Sequence, residues 1–250
     1  LYGDGGIHAA QAWMVLKDTT FDPKTWNAYV NTVTSQPIPG AVEFARYADA
    51  KGVKVGDVRY VCHTHAHIDH AGKDDHFPMN TTVVMNRREL ECSVSGLMHP
   101  QYPKPDIQHL IERMHTRHAL RLEDLELSGP IELIPGVVME EANAHTEGSM
   151  NIHVDTAEGL ATICGDVIYD FQDQIIEPYH VIYSHEVQVT GNHSGTKRSE
   201  KAAVKKLLNS SKFLLPVHDK PAKVERGQIV GRMDMAVPGP ISQTVQRRDW

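Results

Sequence analysis

The sequence predicts a single α/β domain, on three observations. Stretches with strand character alternate with stretches of helical periodicity, no linker or internal repeat divides the chain, and 250 residues suffice to bury one large core. The elements follow in order. Residues 1–6 end in Asp4-Gly5-Gly6, a turn signal. Residues 39–51 read as a helix, with Val42, Ala45 and Ala48 at helical spacing and Gly52 as its stop. Residues 58–62 are a short buried strand, residues 82–85 the next, and residues 87–95 a second helix. Residues 106–122 carry the clearest amphipathic pattern, with Ile107, Leu110, Ile111, Met114 and His118 on one side of a helix. Four strands follow at 131–134, 137–140, 151–154 and 161–164, then a basic helix at 196–209. Residues 213–216 are the final strand, before a Pro/Gly-punctuated tail after Gly227.

Composition narrows the function classes. The net charge is −7 and no long basic run occurs, which argues against a nucleic-acid footprint. No apolar run reaches the length of a membrane span. Three cysteines, Cys62, Cys92 and Cys164, make no paired framework and fit a reduced compartment. With no secretory pattern visible, a cytoplasmic location is expected. The chain opens on Leu1, so a fragment or processed form is also expected.

The residues that carry chemistry are histidines. His65, His67, Asp69 and His70 fall within six residues, directly after a predicted strand. A tight loop there turns several side chains toward one point, and imidazole nitrogens with a carboxylate suit zinc and similar divalent ions. His63 adjoins them but alternates to the other side if the strand continues, which makes it structural. Taken singly, His145 and His218 read as hydrogen-bonded residues and Asp166 as a cap or turn residue.

The string Thr64-His65-Ala66-His67-Ile68-Asp69-His70-Ala71-Gly72 resembles the HxHxDH signature of the metallo-β-lactamase superfamily. Asn143-Ala144-His145-Thr146-Glu147-Gly148-Ser149 resembles its second histidine loop, Cys164-Gly165-Asp166 the strand end with the bridging carboxylate, and Leu215-Pro216-Val217-His218-Asp219 its last histidine segment. Asp4 fits the early Asp-Gly turn that supports the cluster. The resemblance spans nearly the whole chain. It implies an α+β fold, the αβ/βα sandwich of two facing mixed, mostly antiparallel sheets with helices outside. It implies one domain over residues 1–250, with the first strands of the fold missing before residue 1.

The resemblance also implies a site. One metal takes His65, His67 and His145, the other Asp69, His70 and His218, and Asp166 bridges them. Two divalent ions are expected, zinc first, with iron or manganese as alternatives. A metal-bridging hydroxide then attacks a small-molecule substrate, and Asp69 is ligand and proton shuttle. In the N-acyl-homoserine lactonases, which the chain resembles best, a tyrosine three residues after the bridging aspartate reaches the substrate carbonyl. Tyr169 stands at that offset; it is either that oxyanion donor or a packed aromatic.

The activity expected is opening of a lactone or cleavage of an ester. A thioesterase of glyoxalase II type is an alternative, for which Lys220, Lys223, Arg226 and Arg232 are candidate anion-binding residues. A second is a hydrolytic dehalogenase of chlorinated aromatics, against which Asp166 counts, because that group replaces the bridging aspartate. A metal-binding protein without turnover is the non-enzyme alternative. His76 is either a supporting residue or exposed. His109, His115 and His118 form a solvated helix face, with a homodimer contact along residues 106–122 as the other reading. His193 lies in a loop on the pocket side.

Overall fold

A computed structural model describes residues 14–16, 54–71, 74–95, 102, 104–176, 197–233 and 245–246. Four of its strands form one sheet in the order β1 (Met14–Leu16), β2 (Tyr60–Cys62), β3 (Thr82–Asn86), β4 (Leu120–Glu123). β1 is antiparallel to β2, whereas β2, β3 and β4 run parallel. Eight more strands form a second sheet: β5 (Ile131–Ile134), β6 (Val137–Glu141), β7 (Met150–Thr156), β8 (Gly159–Gly165), β9 (Phe213–Pro216), β10 (Ala222–Glu225), β11 (Gln228–Met233) and β12 (Val245–Gln246), each beside the next. Every neighbouring pair there is antiparallel except β8 and β9. The described helices are α1 (Ile68–Ala71), α2 (Arg87–Val94), α3 (Lys104–Met114), α4 (Leu125–Ser128) and α5 (Lys197–Ser210). None of them is long and apolar enough to cross a membrane.

Alternation along the strands makes the two sheets face each other. Val137 and Met139 of β6, Met150, Ile152 and Val154 of β7, Ala161 and Ile163 of β8, and Phe213 and Leu215 of β9 all point into one core. Val61, Val83 and Met85 of the first sheet meet them there. Val84 is buried as well, as expected of a parallel strand covered on both faces. On the outer face of the second sheet, Leu214 of β9, Ala222 and Val224 of β10 pack with Ala203 and Leu207 of α5. This is the expected sandwich of mixed sheets with helices outside, with one difference: the smaller sheet is mostly parallel, and only the larger is mostly antiparallel.

Two expectations need correction. The helix placed at 106–122 ends at Met114. His118 takes a left-handed φ of 64°, which a helix interior does not accommodate, and the chain turns into β4. There Leu120 and Leu122 pack against the core at strand period, paired in parallel with Val83 and Met85. Residues 213–216 are not the final strand. β10 and β11 form a hairpin in which Glu225 pairs with Gln228. Arg226 (φ 53°) and Gly227 (φ 76°) make the two-residue turn with both central residues left-handed, the geometry that matches strand twist. The helix expected at 39–51, Asp4 and His193 lie outside the described residues.

Candidate metal centre

Three strand ends, one short helix and one further loop deliver the site. β2 leads straight into the His65–His67 loop. The His63 backbone extends its ladder by donating to the Val84 carbonyl (3.0 Å). The His63 ring turns away from the cluster, with Nε2 2.8 Å from both carboxylate oxygens of Asp74, so the structural role fits. His70 sits on α1. His145 lies between β6 and β7 at a left-handed φ of 70°, in a loop closed by the Ala142 N–H on the Ser149 carbonyl (2.8 Å). Asp166 follows β8 and His218 follows β9. Because these two strands are parallel neighbours, their C-terminal ends open at the same edge.

The side chains converge. His65 Nε2, His67 Nδ1 and His145 Nε2 form a triangle with edges of 3.0, 3.1 and 3.1 Å. Asp166 Oδ2 lies 3.4 Å from His145 Nε2, 3.7 Å from His65 Nε2, 3.2 Å from His70 Nε2 and 3.3 Å from His218 Nε2. Two overlapping groups result, His65-His67-His145-Asp166 and His70-Asp166-His218, with Asp166 shared. Asp69 is on α1 beside His70; its side chain lies outside the described residues. All the other members are buried except His218, whose side chain is 20% exposed.

The triangle tests the fit to a cation. A ring nitrogen either carries a hydrogen or offers a lone pair, so the three edges cannot all be hydrogen bonds and one sets like against like. Nitrogens each about 2.0–2.1 Å from one tetrahedral zinc are themselves about 3.3 Å apart, close to the spacing here. The donor set therefore fits divalent metal. The electrostatics agree. Burial, then the neighbouring His70, His145 and His67, hold the His65 imidazole well below its usual range and so neutral. Burial pushes the Asp166 carboxyl up, but His70, His218 and His145 outweigh it and hold the group well below the ordinary carboxylate range.

Two glycines let the loops approach. A Cβ on Gly165 (φ 50°) would stand 2.6 Å from Thr64 Oγ1, and one on Gly148 would stand 2.0 Å from the Glu89 backbone nitrogen. Glu89 is the main site residue that sequence reasoning missed. It is fully buried on α2. Its Oε1 accepts the Ala66 N–H (2.8 Å) and the Tyr102 hydroxyl (3.0 Å), and its Oε2 accepts the Thr146 hydroxyl (2.5 Å). One carboxylate thereby ties the His65–His67 loop to the His145 loop, and Tyr102 lies beside the His67 ring with centroids 4.9 Å apart. The available signal was an acid on the buried side of an amphipathic helix, with Leu90 and Ser93.

Tyr169 borders both groups. Its ring stacks on that of His218, with centroids 4.5 Å apart and planes at 4°, and lies 5.9 Å from that of His145. Gln174 holds its loop, accepting the N–H groups of Tyr169 and Asp170 and donating to the Val167 carbonyl (3.1 Å). The histidines of the 106–122 segment are elsewhere. His109 accepts from Arg113 Nε (2.9 Å), His118 accepts from Arg117 Nε (3.0 Å), and both His115 and His118 are exposed. His76 closes a short 3-10 turn, and its side chain lies outside the described residues.

Residues 32–209 match the family model described as the metallo-beta-lactamase superfamily. The chain belongs to this superfamily. Among curated proteins, it is 27% identical over 128 residues to an N-acyl homoserine lactonase of Bacillus cereus, and 26% identical over 128 residues to the N-acyl homoserine lactonase AiiA of Bacillus thuringiensis subsp. kurstaki. Each match takes in 50% of this chain and 45% of the relative, so the matched stretch is about half of either protein. Two solved structures share the fold. A probable metal-dependent hydrolase from Staphylococcus aureus gives a TM-score of 0.58 at 17% identity, over 75% of this chain and 66% of that one. AidC, a dizinc quorum-quenching lactonase, gives 0.52 at 16% identity, over 74% of this chain and 67% of that one. At these identities the structural likeness speaks to the fold alone.

Proposed function

We propose that this chain is a dinuclear metal-dependent hydrolase that opens a lactone or cleaves an ester of a small-molecule substrate. The observation that carries the reading is the convergence of His65, His67, His145, Asp166, His70 and His218 into two groups that share one carboxylate. Asp69 completes the set in the superfamily pattern. His65, His67 and His145 would hold one cation, Asp69, His70 and His218 the other, and Asp166 would serve both. Bound there, divalent ions, most simply zinc, supply Lewis acidity and bring the pKa of a water toward neutrality.

The chain's own residues do the rest. The neutral His65 imidazole presents a lone pair, and the ionised Asp166 would offset part of the positive charge. Tyr169, against His218 and near His145, donates a hydrogen bond from its hydroxyl to the oxygen that gains charge on the substrate. Asp69 receives the proton released by the attacking water and passes it to the leaving oxygen. Kinship with N-acyl homoserine lactonases supports a lactone as the first substrate to try.

The test is a turnover screen of the zinc-loaded chain over N-acyl homoserine lactones, simple aryl esters, thioesters and chloroaromatics, with metal content measured alongside. Two equivalents of metal with lactone or ester hydrolysis is the expected result. Two equivalents without turnover on any of them would overturn the hydrolase reading, and thioester or chloroaromatic turnover alone would move it to another branch.

A further inference from the structure

Asp219 follows His218, and its carboxylate gathers three segments. Oδ2 accepts the Phe171 N–H (2.9 Å), in the loop after β8. Oδ1 accepts the Lys220 N–H (2.7 Å) and an Nη2 hydrogen of Arg232, on β11. Arg232 Nη2 also donates to the Lys220 carbonyl (2.8 Å), and the guanidinium carbon lies 4.5 Å from the centre of the Phe171 ring. The arginine is 6% exposed, and its Nε and Nη1 are buried without a hydrogen-bond partner among the described residues. Asp219 is its one carboxylate partner among the described residues.

A buried ion pair is a weak way to gain stability, because desolvation offsets much of the attraction. Its hydrogen bonds do fix direction. Here they fix the loop after β8 against the loop after β9. Phe171 is two residues beyond Tyr169, Asp219 is one beyond His218, and the Tyr169 and His218 rings stack in parallel. We propose that Asp219 and Arg232 are positioning residues that set where His218 and Tyr169 stand relative to Asp166. This rests on the reading of His70, Asp166 and His218 as a cation site. The pair acts on that group and leaves the His65-His67-His145 triangle, braced by Glu89, untouched.

The experiment is competitive zinc titration of the chain against a chelator, for wild type, Arg232→Met, Arg232→Lys, Asp219→Asn and the double variant D219N/R232M. Leu133→Ala, at the far edge strand β5, controls for general loosening of the core. One of the two zinc equivalents is expected to weaken by about 10- to 100-fold in the Met and Asn variants while the other keeps its affinity. Arg232→Lys keeps the charge without the planar fork, so it restores the lost affinity only in part. Should Asp219→Asn fail to fold because a buried charge is left uncompensated, the double variant, which holds none, carries the test. Wild-type affinity for both equivalents in the Arg232→Met and double variants overturns the proposal. So does equal weakening of both, matching Leu133→Ala. A wild-type chain that takes up no zinc is a separate result and overturns the metal reading beneath it.

Discussion

The two halves of the centre are held by different means. His65, His67 and His145 are 5% exposed or less, and the loops that carry them hang on the single buried carboxylate of Glu89. His218 is partly exposed, and the loop beyond it is tied through Asp219 to an arginine from a hairpin near the sheet edge. The first half is fixed by close approach, with Gly148 and Gly165 admitting backbone where a side chain would collide. The second is fixed by charge and by the stack of Tyr169 on His218. On the proposed reading, the difference separates two tasks: a buried socket on one side, and on the other a partly exposed wall that would meet the substrate.

The largest effect on this contrast should come from His67→Ala, which removes a corner of the triangle. Hydrolysis is expected to vanish, and metal content to fall by at least one equivalent. Elemental analysis of the purified variant checks this, and unchanged metal and rate would refute the assignment.

Glu89→Ala attacks the brace instead of the ligands. It leaves the Ala66 N–H and the Tyr102 and Thr146 hydroxyls without their acceptor, so a loss of about 3 kcal/mol is expected in urea unfolding. The pH dependence sharpens the point. Burial raises the Glu89 carboxyl above its ordinary value of 4.5, against the pull of its hydrogen bonds. The folded chain thus holds that proton more tightly than the unfolded chain does. The resulting stability is present at low pH and is lost as pH rises from 4.5 through the raised value. Glu89→Gln should remove that slope, and an identical slope in the variant would count against the burial argument.

Tyr169→Phe probes the open half. Turnover should fall roughly 100-fold, the scale of one lost oxyanion donor, with both metal equivalents retained. A variant with unaltered kcat and KM would make the ring a packing residue only.

The smallest effect lies outside both halves. On the outer face of the second sheet, Glu140 meets Lys206 (2.6 Å) and His153 (3.2 Å). Burial pushes its carboxyl up, but these two partners outweigh it and hold the group below 4.5. Its contribution is therefore present above 4.5 and is lost as pH falls through the lower folded value. The pair is half-exposed, so Glu140→Gln should change acid stability by less than about 1 kcal/mol. Metal content should not move at all.

Much of this was legible in the sequence because strands with one buried face write their period plainly. β5 and β9 fall at the residues expected, and β6, β7 and β8 differ only by residues added at their ends. The histidines and Asp166 stand at strand ends and in loops, where spacing within a family pattern is informative. What failed was local competition between signals. His118 continues the four-residue spacing of Leu110 and Met114 and so carries the helical pattern up to the strand, but its left-handed φ turns the chain into β4. Arg226-Gly227 is a hairpin turn that reads like the start of a loose tail. Glu89 bonds to Thr146, 57 positions away, and Asp219 to Phe171, 48 positions away, and no single-sequence spacing reveals such pairings.

The parallel pairing of β8 with β9 has a consequence for change over time. No tight bend can link two strands that run the same way, so the backbone leaving β8 must set out from the edge where Asp166 and His218 gather and come back to the opposite end before β9 begins. On the proposed reading, additions to that path beyond the Phe171 tie would start from the same edge and could alter the substrate, whereas changes at Tyr169 or Phe171 themselves would disturb His218 through Asp219.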